Sequence, residues 1–479
     1  MRVRIKQASL VGVGVVAGVL ISLNFSAIAL KEAASPLPVE ELRTLADVYS
    51  AIKNGYVEPV EDKKLINSAV SGMLSGLDPH SAYLDQDAFK DLQVGTQGEF
   101  GGLGIEVGME DGLVKVVSPI EDTPAYRAGV KAGDLIVKLD DTSVKGMTLN
   151  DAVKRMRGKP KTTIVLTIVR KGEPKPIVVT LTREVIKVQS VKSKLIEPGF
   201  GYVRVTQFQE NTTQALVKHL NDLYKQGTLK GLVLDLRNDP GGLLNGAIGV
   251  SAAFLPAKTL VVSTDGRTED AKRKYYAVPD DYLRGTREDV LKNLPPPIKT
   301  VPMVTLVNGG SASASEIVAG ALQDQKRAVI VGTATFGKGS VQTILPLTNN
   351  TAIKLTTARY YTPNGRSIQA KGIVPDIQVE ETPNGDINRQ RLREADLEHH
   401  LSNDRDAATE TKPEVKPEPK PESKAPSKKD SPGKAKSKEK DKEDAEDDAK
   451  APVELGGKND YQLAQAVNLL KGLQIIQNR

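Results

Sequence analysis

Forty residues near the C-terminus, 411 to 450, limit where this chain can fold. They hold 12 Lys against 11 Asp plus Glu, six Pro, and only Val415 among the larger apolar residues. Such a stretch cannot bury enough apolar surface to offset the entropy of ordering it, so residues 405–452 read as a disordered, charge-balanced linker. The folded mass must lie upstream. Beyond the linker, residues 453–479 return to helical periodicity with Leu463, Ala466, Val467, Leu470 and Leu473. The apolar face within Arg393 to Leu401 is the expected partner of that terminal helix.

The other end of the chain decides the compartment. Arg2, Arg4 and Lys6 precede an apolar run from Ala8 to Ala29, broken only by Ser9, Ser22, Asn24 and Ser26. Residues 1–29 read as an export segment, either cleaved after Ala27-Ile28-Ala29 or kept as a membrane anchor through residues 8–29. In both forms the remainder crosses an inner membrane, so the expected location is a periplasm, free or attached to that membrane. The chain has no Cys, which excludes disulfides, thiolate metal sites and a cysteine nucleophile. Its net charge of +6 over 479 residues, with no Trp, gives no reason to expect a nucleic-acid partner. No metal or other cofactor is expected.

Between the two ends lie three zones. Residues 37–91 carry helical periodicity in Leu42, Leu45, Val48, Ile52, Leu65, Val70 and Leu74, and end where Asp78-Pro79 breaks the helix. Residues 98–183 are β-rich and punctuated by glycine, with strands expected at Gly104 to Val107, Leu113 to Val117, Leu135 to Leu139 and Thr163 to Val169. From 184 to 381 strands alternate with helices, the pattern of an α/β core. The fold class is therefore multidomain α/β.

The conspicuous chemical segment is Gly309-Gly310-Ser311-Ala312-Ser313-Ala314-Ser315-Glu316, between an expected strand at Val301 to Val307 and an expected helix at Ser315 to Leu322. Small residues let a hydroxyl stand at a tight strand-to-helix turn, with helix-start N–H groups able to stabilise an oxyanion. A Gly/Ser turn that merely caps a helix has the same composition. A hydroxyl nucleophile needs a base, and the four histidines serve poorly: His80 closes a helix, His219 lies within one, and His399 and His400 adjoin the linker. A lysine can serve if burial depresses its pKa by about 3 units. Lys338 stands in such a setting, flanked by Gly337 and Gly339 between expected strands at Ala328 to Val331 and Val341 to Leu347, with Gln342 near enough to orient the amine. Gly332 to Lys338 also fits a phosphate-binding loop, but Gly339 stands where that loop needs Ser or Thr, and a strand follows where it needs a helix.

The run Ser311 to Glu316 with Gly337-Lys338-Gly339 and Gln342 resembles the carboxyl-terminal processing peptidases, the tail-specific Ser/Lys family with a PDZ domain. Asp235-Leu236-Arg237-Asn238-Asp239-Pro240-Gly241-Gly242 and Tyr361-Thr362-Pro363-Asn364-Gly365 match further landmarks. The resemblance implies a crotonase-like α/β core with Ser313 as nucleophile, Lys338 as base, Gln342 positioning it, and an oxyanion hole from the N–H of Ala314 and of Gly241 or Gly242. Asp239 departs from the Asn usual there. The middle zone resembles a PDZ module from Phe100-Gly101-Gly102-Leu103-Gly104-Ile105 to Ala128-Gly129-Val130-Lys131-Ala132-Gly133-Asp134. An extended C-terminus would add to the Ile105 edge while N–H groups of Leu103, Gly104 and Ile105 hold its carboxylate. Arg157 is a candidate link from the PDZ module to the site. The expected partners are protein substrates with free C-termini, an activating adaptor, and further copies of this chain through its helical N-terminal zone. The competing expectation is a PDZ-bearing chaperone or adaptor whose peptidase core is inactive.

Overall fold

The computed structural model describes residues 37–120, 122–187, 189–284, 288–383, 392–405, 455–457 and 459–477. The export segment and almost all of the charged linker lie outside the described residues. The chain divides into two units, Met1–Gly72 and Met73–Arg479. The first holds α1 (Val39–Gly55) and most of α2 (Asp62–Ser75). Acidic Glu40 and Glu41 open α1 and Lys53 closes it, in keeping with the helix dipole. No residue of α1 is buried, and its apolar stripe of Leu42, Leu45 and Val48 is about half exposed.

The second unit begins with β1 (Ala82–Leu84) and α3 (Gln86–Gln97), which Asp85 caps at one end and Gly98, at φ 74°, ends at the other. A β-rich domain follows: β2 (Glu99–Gly102), β3 (Ile105–Glu110), β4 (Leu113–Pro119), β5 (Leu135–Leu139), β6 (Thr142–Ser143), α4 (Leu149–Met156), β7 (Thr163–Val169), β8 (Ile177–Thr182) and β9 (Glu184–Lys187). Its antiparallel sheet runs β3-β4-β5-β7-β8, with β6 on β5 and β2 paired separately to β9. In β7, Ile164, Leu166 and Ile168 are buried and alternate with more exposed residues, as period-two geometry requires of a half-buried strand. The order leaves β3 on an edge.

The α/β core comprises β10 (Val191–Glu197), β11 (Phe200–Val205), α5 (Thr212–Lys225), β12 (Gly231–Asp235), α6 (Leu244–Phe254), β13 (Leu260–Gly266), β14 (Arg273–Tyr276), β15 (Met303–Val307), α7 (Ala314–Asp324), β16 (Val329–Gly332), β17 (Ser340–Pro346), β18 (Ala352–Tyr361), β19 (Ile377–Gln378) and α8 (Tyr461–Gln477). Its main sheet runs β10-β11-β12-β15-β16-β19 and is parallel from β11 onward. Every residue of β12 and β15 is buried, the mark of central parallel strands covered on both faces. Leu232 and Leu234 pack with α5, α6 and α7, while Val233 packs on the opposite face with α8. A second sheet, β1-β18-β13-β14 with β17 on β18, stands beside it.

The terminal helix differs from expectation in its partner. Leu463, Ala466, Val467 and Leu470 of α8 join Phe200, Tyr202, Val233, Val304, Leu306 and Val331 rather than residues 393 to 401. Arg237, almost wholly buried, donates to Asp235 (2.6 Å) and to Asp460 at the start of α8 (2.6 Å). The sheet needed a cover for this face, and a 3-10 turn at Glu394–Asp396 could not supply one. The fold class read from the sequence is the one observed.

Candidate active site

The serine turn is assembled by the fold around it. Ser313 sits just before α7 at φ 55° and ψ −111°, a backbone state that costs a non-glycine residue energy and persists only when the surroundings over-determine it. Those surroundings are explicit. Ser311 Oγ donates to Leu236 O (2.8 Å) and accepts from Asn308 N (3.0 Å), Ser315 Oγ donates to Asp239 O (2.9 Å), and Ala312 N donates to Asp239 O (3.0 Å). Both flanking serines are fully buried and fasten the turn to the 236–239 loop. Ser313 remains partly exposed.

The glycine loop lies against that turn. A Cβ on Gly241, at φ 97°, would stand 2.9 Å from both Ser313 Cβ and Ala314 N, so only glycine lets the loop approach. At Gly242 a Cβ would meet Phe208 O at 2.1 Å. Ala314 N opens α7, where the helix dipole favours negative charge. The N–H of Gly241 donates to Asp239 Oδ1 (2.8 Å).

The lysine loop meets the serine turn through two shared groups. Glu316, completely buried in the first turn of α7, accepts from Ser313 N (2.7 Å) and Lys338 N (3.0 Å) through one oxygen, and from Gly337 N (2.7 Å) and Thr335 Oγ1 (2.6 Å) through the other. The Ser313 and Lys338 nitrogens are thus no further apart than the sum of two hydrogen bonds. Tyr360 Oη donates to Ser313 O (3.1 Å) and to Lys338 O. Burial pushes the Glu316 carboxyl up to about 7 against the pull of its four donors. Burial likewise lowers Lys338 to about 8, aided by Lys354 and opposed by Glu394, Glu316 and Asp78. Gln342 Nε2 donates to Ser340 Oγ (3.0 Å) and Thr356 Oγ1 (3.2 Å), which fixes its side chain beside the loop.

This arrangement disposes of the phosphate-loop alternative. The N–H groups of Gly337 and Lys338, which a phosphate would need, are spent on a carboxylate, and β17 follows where a helix should start.

Sequence reasoning missed one part of the site. His80 Nε2 lies 2.8 Å and 3.0 Å from the two oxygens of Glu394, whose N–H donates to Phe336 O in the lysine loop. Hydrogen bonds from His80 and Gln369 outweigh burial and hold the Glu394 carboxyl below its usual range. Asp78 accepts from the N–H groups of His80 and Ser81 and from Thr356 Oγ1, the hydroxyl that Gln342 also bonds. Asp78-Pro79-His80-Ser81 looked like a helix stop because its partners lie some 300 residues away, as with the 314-residue separation of His80 and Glu394.

In the β-rich domain, Leu103 O accepts from Ala125 N (3.0 Å), and Gly104 O accepts from Ile120 N (2.8 Å) and Thr123 Oγ1 (3.2 Å). In a trans peptide the C=O of one residue and the N–H of the next point in opposite directions. With both carbonyls turned inward, the N–H groups of Gly104 and Ile105 face outward at the start of edge strand β3. Ile105 and Val107 on β3 and Leu149 and Val153 on α4 are partly buried over the same core. Arg157 stacks on Phe100 at 4.8 Å and pairs with Asp91 of α3 at 3.4 Å, which places it at the junction of α3 with this domain.

Comparison with known proteins identifies the family of the chain. Residues 199–379 match the peptidase family S41 model, 101–181 the PDZ domain model, and 22–88 the model of the activating protease CtpB N-terminal domain. The chain is 50% identical over 345 residues to a carboxy-terminal-processing protease of Bartonella bacilliformis, covering 71% of this chain and 76% of that one. It is 36% identical over 337 residues to the carboxy-terminal processing protease CtpA of Bacillus subtilis, covering 70% and 68%. Among solved structures it is similar to a photosystem II D1 C-terminal processing protease, at 33% identity and a TM-score of 0.41, over 70% of this chain and 86% of that one. The chain belongs to peptidase family S41, among the carboxy-terminal processing proteases that carry a PDZ domain.

Proposed function

We propose that this chain is a periplasmic serine endopeptidase that cuts proteins at or near their C-termini with a Ser313/Lys338 dyad. The observation that carries the reading is the double bracket of Glu316 and Tyr360, each of which bonds the main chain of both residues. With Lys338 depressed to about 8, about a tenth of the amine is neutral at pH 7. Neutral Lys338 takes the Ser313 Oγ proton as that oxygen bonds the scissile carbonyl carbon. Negative charge collects on the carbonyl oxygen, where the N–H of Ala314 and a loop glycine receive it. The Lys338 ammonium then passes its proton to the leaving amine, and the C–N bond breaks to give an acyl-enzyme. Water, deprotonated by the same amine, releases the acid and restores Ser313.

The outward N–H groups of Gly104 and Ile105, with Leu103 before them, support capture of a substrate's terminal carboxylate while its chain adds to β3. The export segment supports the periplasmic location, with residues 8–29 as the membrane attachment if they are retained. The CtpB-like N-terminal match supports dependence on an activating partner, and the exposed apolar stripe of α1 supports self-association. The test is incubation of an unfolded protein bearing a free C-terminus with the full chain and with Ser313→Ala. Truncation by the first alone is expected. Binding without cleavage by both would replace this reading with the adaptor one.

A further inference from the structure

Two carboxyl groups are wholly buried around the serine turn, and they are treated very differently. Glu316 receives four donors, three of them main-chain N–H groups. Asp239 receives one, the N–H of Gly241 on Oδ1, and its Oδ2 makes no hydrogen bond among the described residues. A buried carboxylate with a single donor is far costlier than its neutral acid, because nothing replaces the water it has lost. The charged groups facing Asp239 do not reverse that: Arg204 on β11 favours ionisation and Asp235 on β12 opposes it. Burial accordingly raises this carboxyl to about 8, against the pull of the Gly241 N–H and of the nearby Ser315 hydroxyl, whose own hydrogen bond goes to the Asp239 main-chain oxygen.

The position makes the protonation state matter. Asp239 O is the acceptor that Ala312 N and Ser315 Oγ use to fasten the serine turn, so the residue cannot move independently of Ser313. Its side chain holds the N–H of the glycine that stands against Ser313 and Ala314. We propose that Asp239 is a positioning residue that must be neutral during turnover. As the acid it holds the Gly241 N–H weakly enough for the oxyanion to claim it. As the anion it captures that N–H and sets a second negative charge beside the forming one. The inference rests on the Ser313/Lys338 reading and adds to it a titrating group that opposes the lysine. Activity rises as Lys338 loses its proton and falls as Asp239 loses its own.

The experiment is a pH profile of kcat for hydrolysis of one peptide substrate by the full chain, by Asp239→Asn and by Asp239→Ser, with thermal melts to confirm folding. The parent should give a bell. Both variants, neutral at every pH, should rise to a plateau, and one pH unit above the falling midpoint Asp239→Asn should exceed the parent by about tenfold. A parent profile without a falling limb, or a falling limb that persists in a folded variant, would overturn the proposal. Ser313→Ala and Lys338→Arg run in the same series separate the two levels, because retained turnover in either one refutes the dyad itself rather than the role of Asp239.

Discussion

The turn carrying Ser313 draws its support from residues 236 to 239 and from its own helix, whereas the loop carrying Lys338 is surrounded by Asp78, Lys354 and Glu394 from three remote segments. The first half is a matter of backbone geometry: short hydroxyl bonds and a glycine force a strained residue into place. The second is a matter of electrostatics, since burial, aided by Lys354, depresses the lysine and the surrounding carboxylates partly restore it. Substitutions near the serine should therefore change how well the oxygen is aimed. Substitutions around the lysine should change the pH at which the site works.

The largest effect belongs to the serine half. Ser313→Ala should lower kcat/KM by on the order of 10⁴-fold or more with little change in melting temperature. Ser311→Ala should retain most activity while losing about 1–2 kcal/mol of stability, because it strands Asn308 N and leaves Leu236 O with the N–H of Asp239 as its remaining donor. Peptide hydrolysis and thermal melts measure both, and a reversed ranking would place the nucleophile elsewhere. Next comes the lysine half: Lys338→Arg should be as damaging as Lys338→Ala, on the order of 10³-fold in kcat, since a guanidinium does not give up its proton. Appreciable turnover by Lys338→Arg would remove the lysine from the chemistry.

Amidating the C-terminus of a peptide ligand should weaken binding to the Ser313→Ala protein by about tenfold to a hundredfold, the worth of a charge-assisted contact. Equal affinities would discard carboxylate capture without touching either half of the site. The smallest effect sharpens the comparison most. Glu394→Gln removes an anion that favours the ammonium form of Lys338, so the rising limb of the activity profile should move to lower pH by up to about one unit. Ser315→Ala, on the serine side, should leave that limb where it is.

What the sequence made legible follows the same division. The buried strands and α7 were readable from apolar runs, and Ser313 from a local pattern of small residues after a strand. Gly337-Lys338-Gly339 was readable as a lysine in an apolar, glycine-rich setting. The His80–Glu394 pair was not, because nothing in either segment encodes a partner 314 residues away. The same limit misassigned α8: its apolar face was evident, but the sheet face that receives it is made of strands whose two-sided burial hides which side lacks a cover. Arg237 and Asp460, joined across 223 residues, supply the polar half of that docking, and removing Asp460 should cost about 1–3 kcal/mol, because the buried guanidinium loses one of its two carboxylate partners and keeps Asp235.

The central claim, that Lys338 activates Ser313, is tested most directly by reacting the full chain with a fluorophosphonate and mapping the adduct by peptide mass spectrometry across pH. A phosphonyl group on Ser313, forming faster as pH climbs through about 8 and failing to form in Lys338→Arg, is the predicted result. An adduct on another residue, or undiminished labelling of Ser313 in Lys338→Arg, would contradict it.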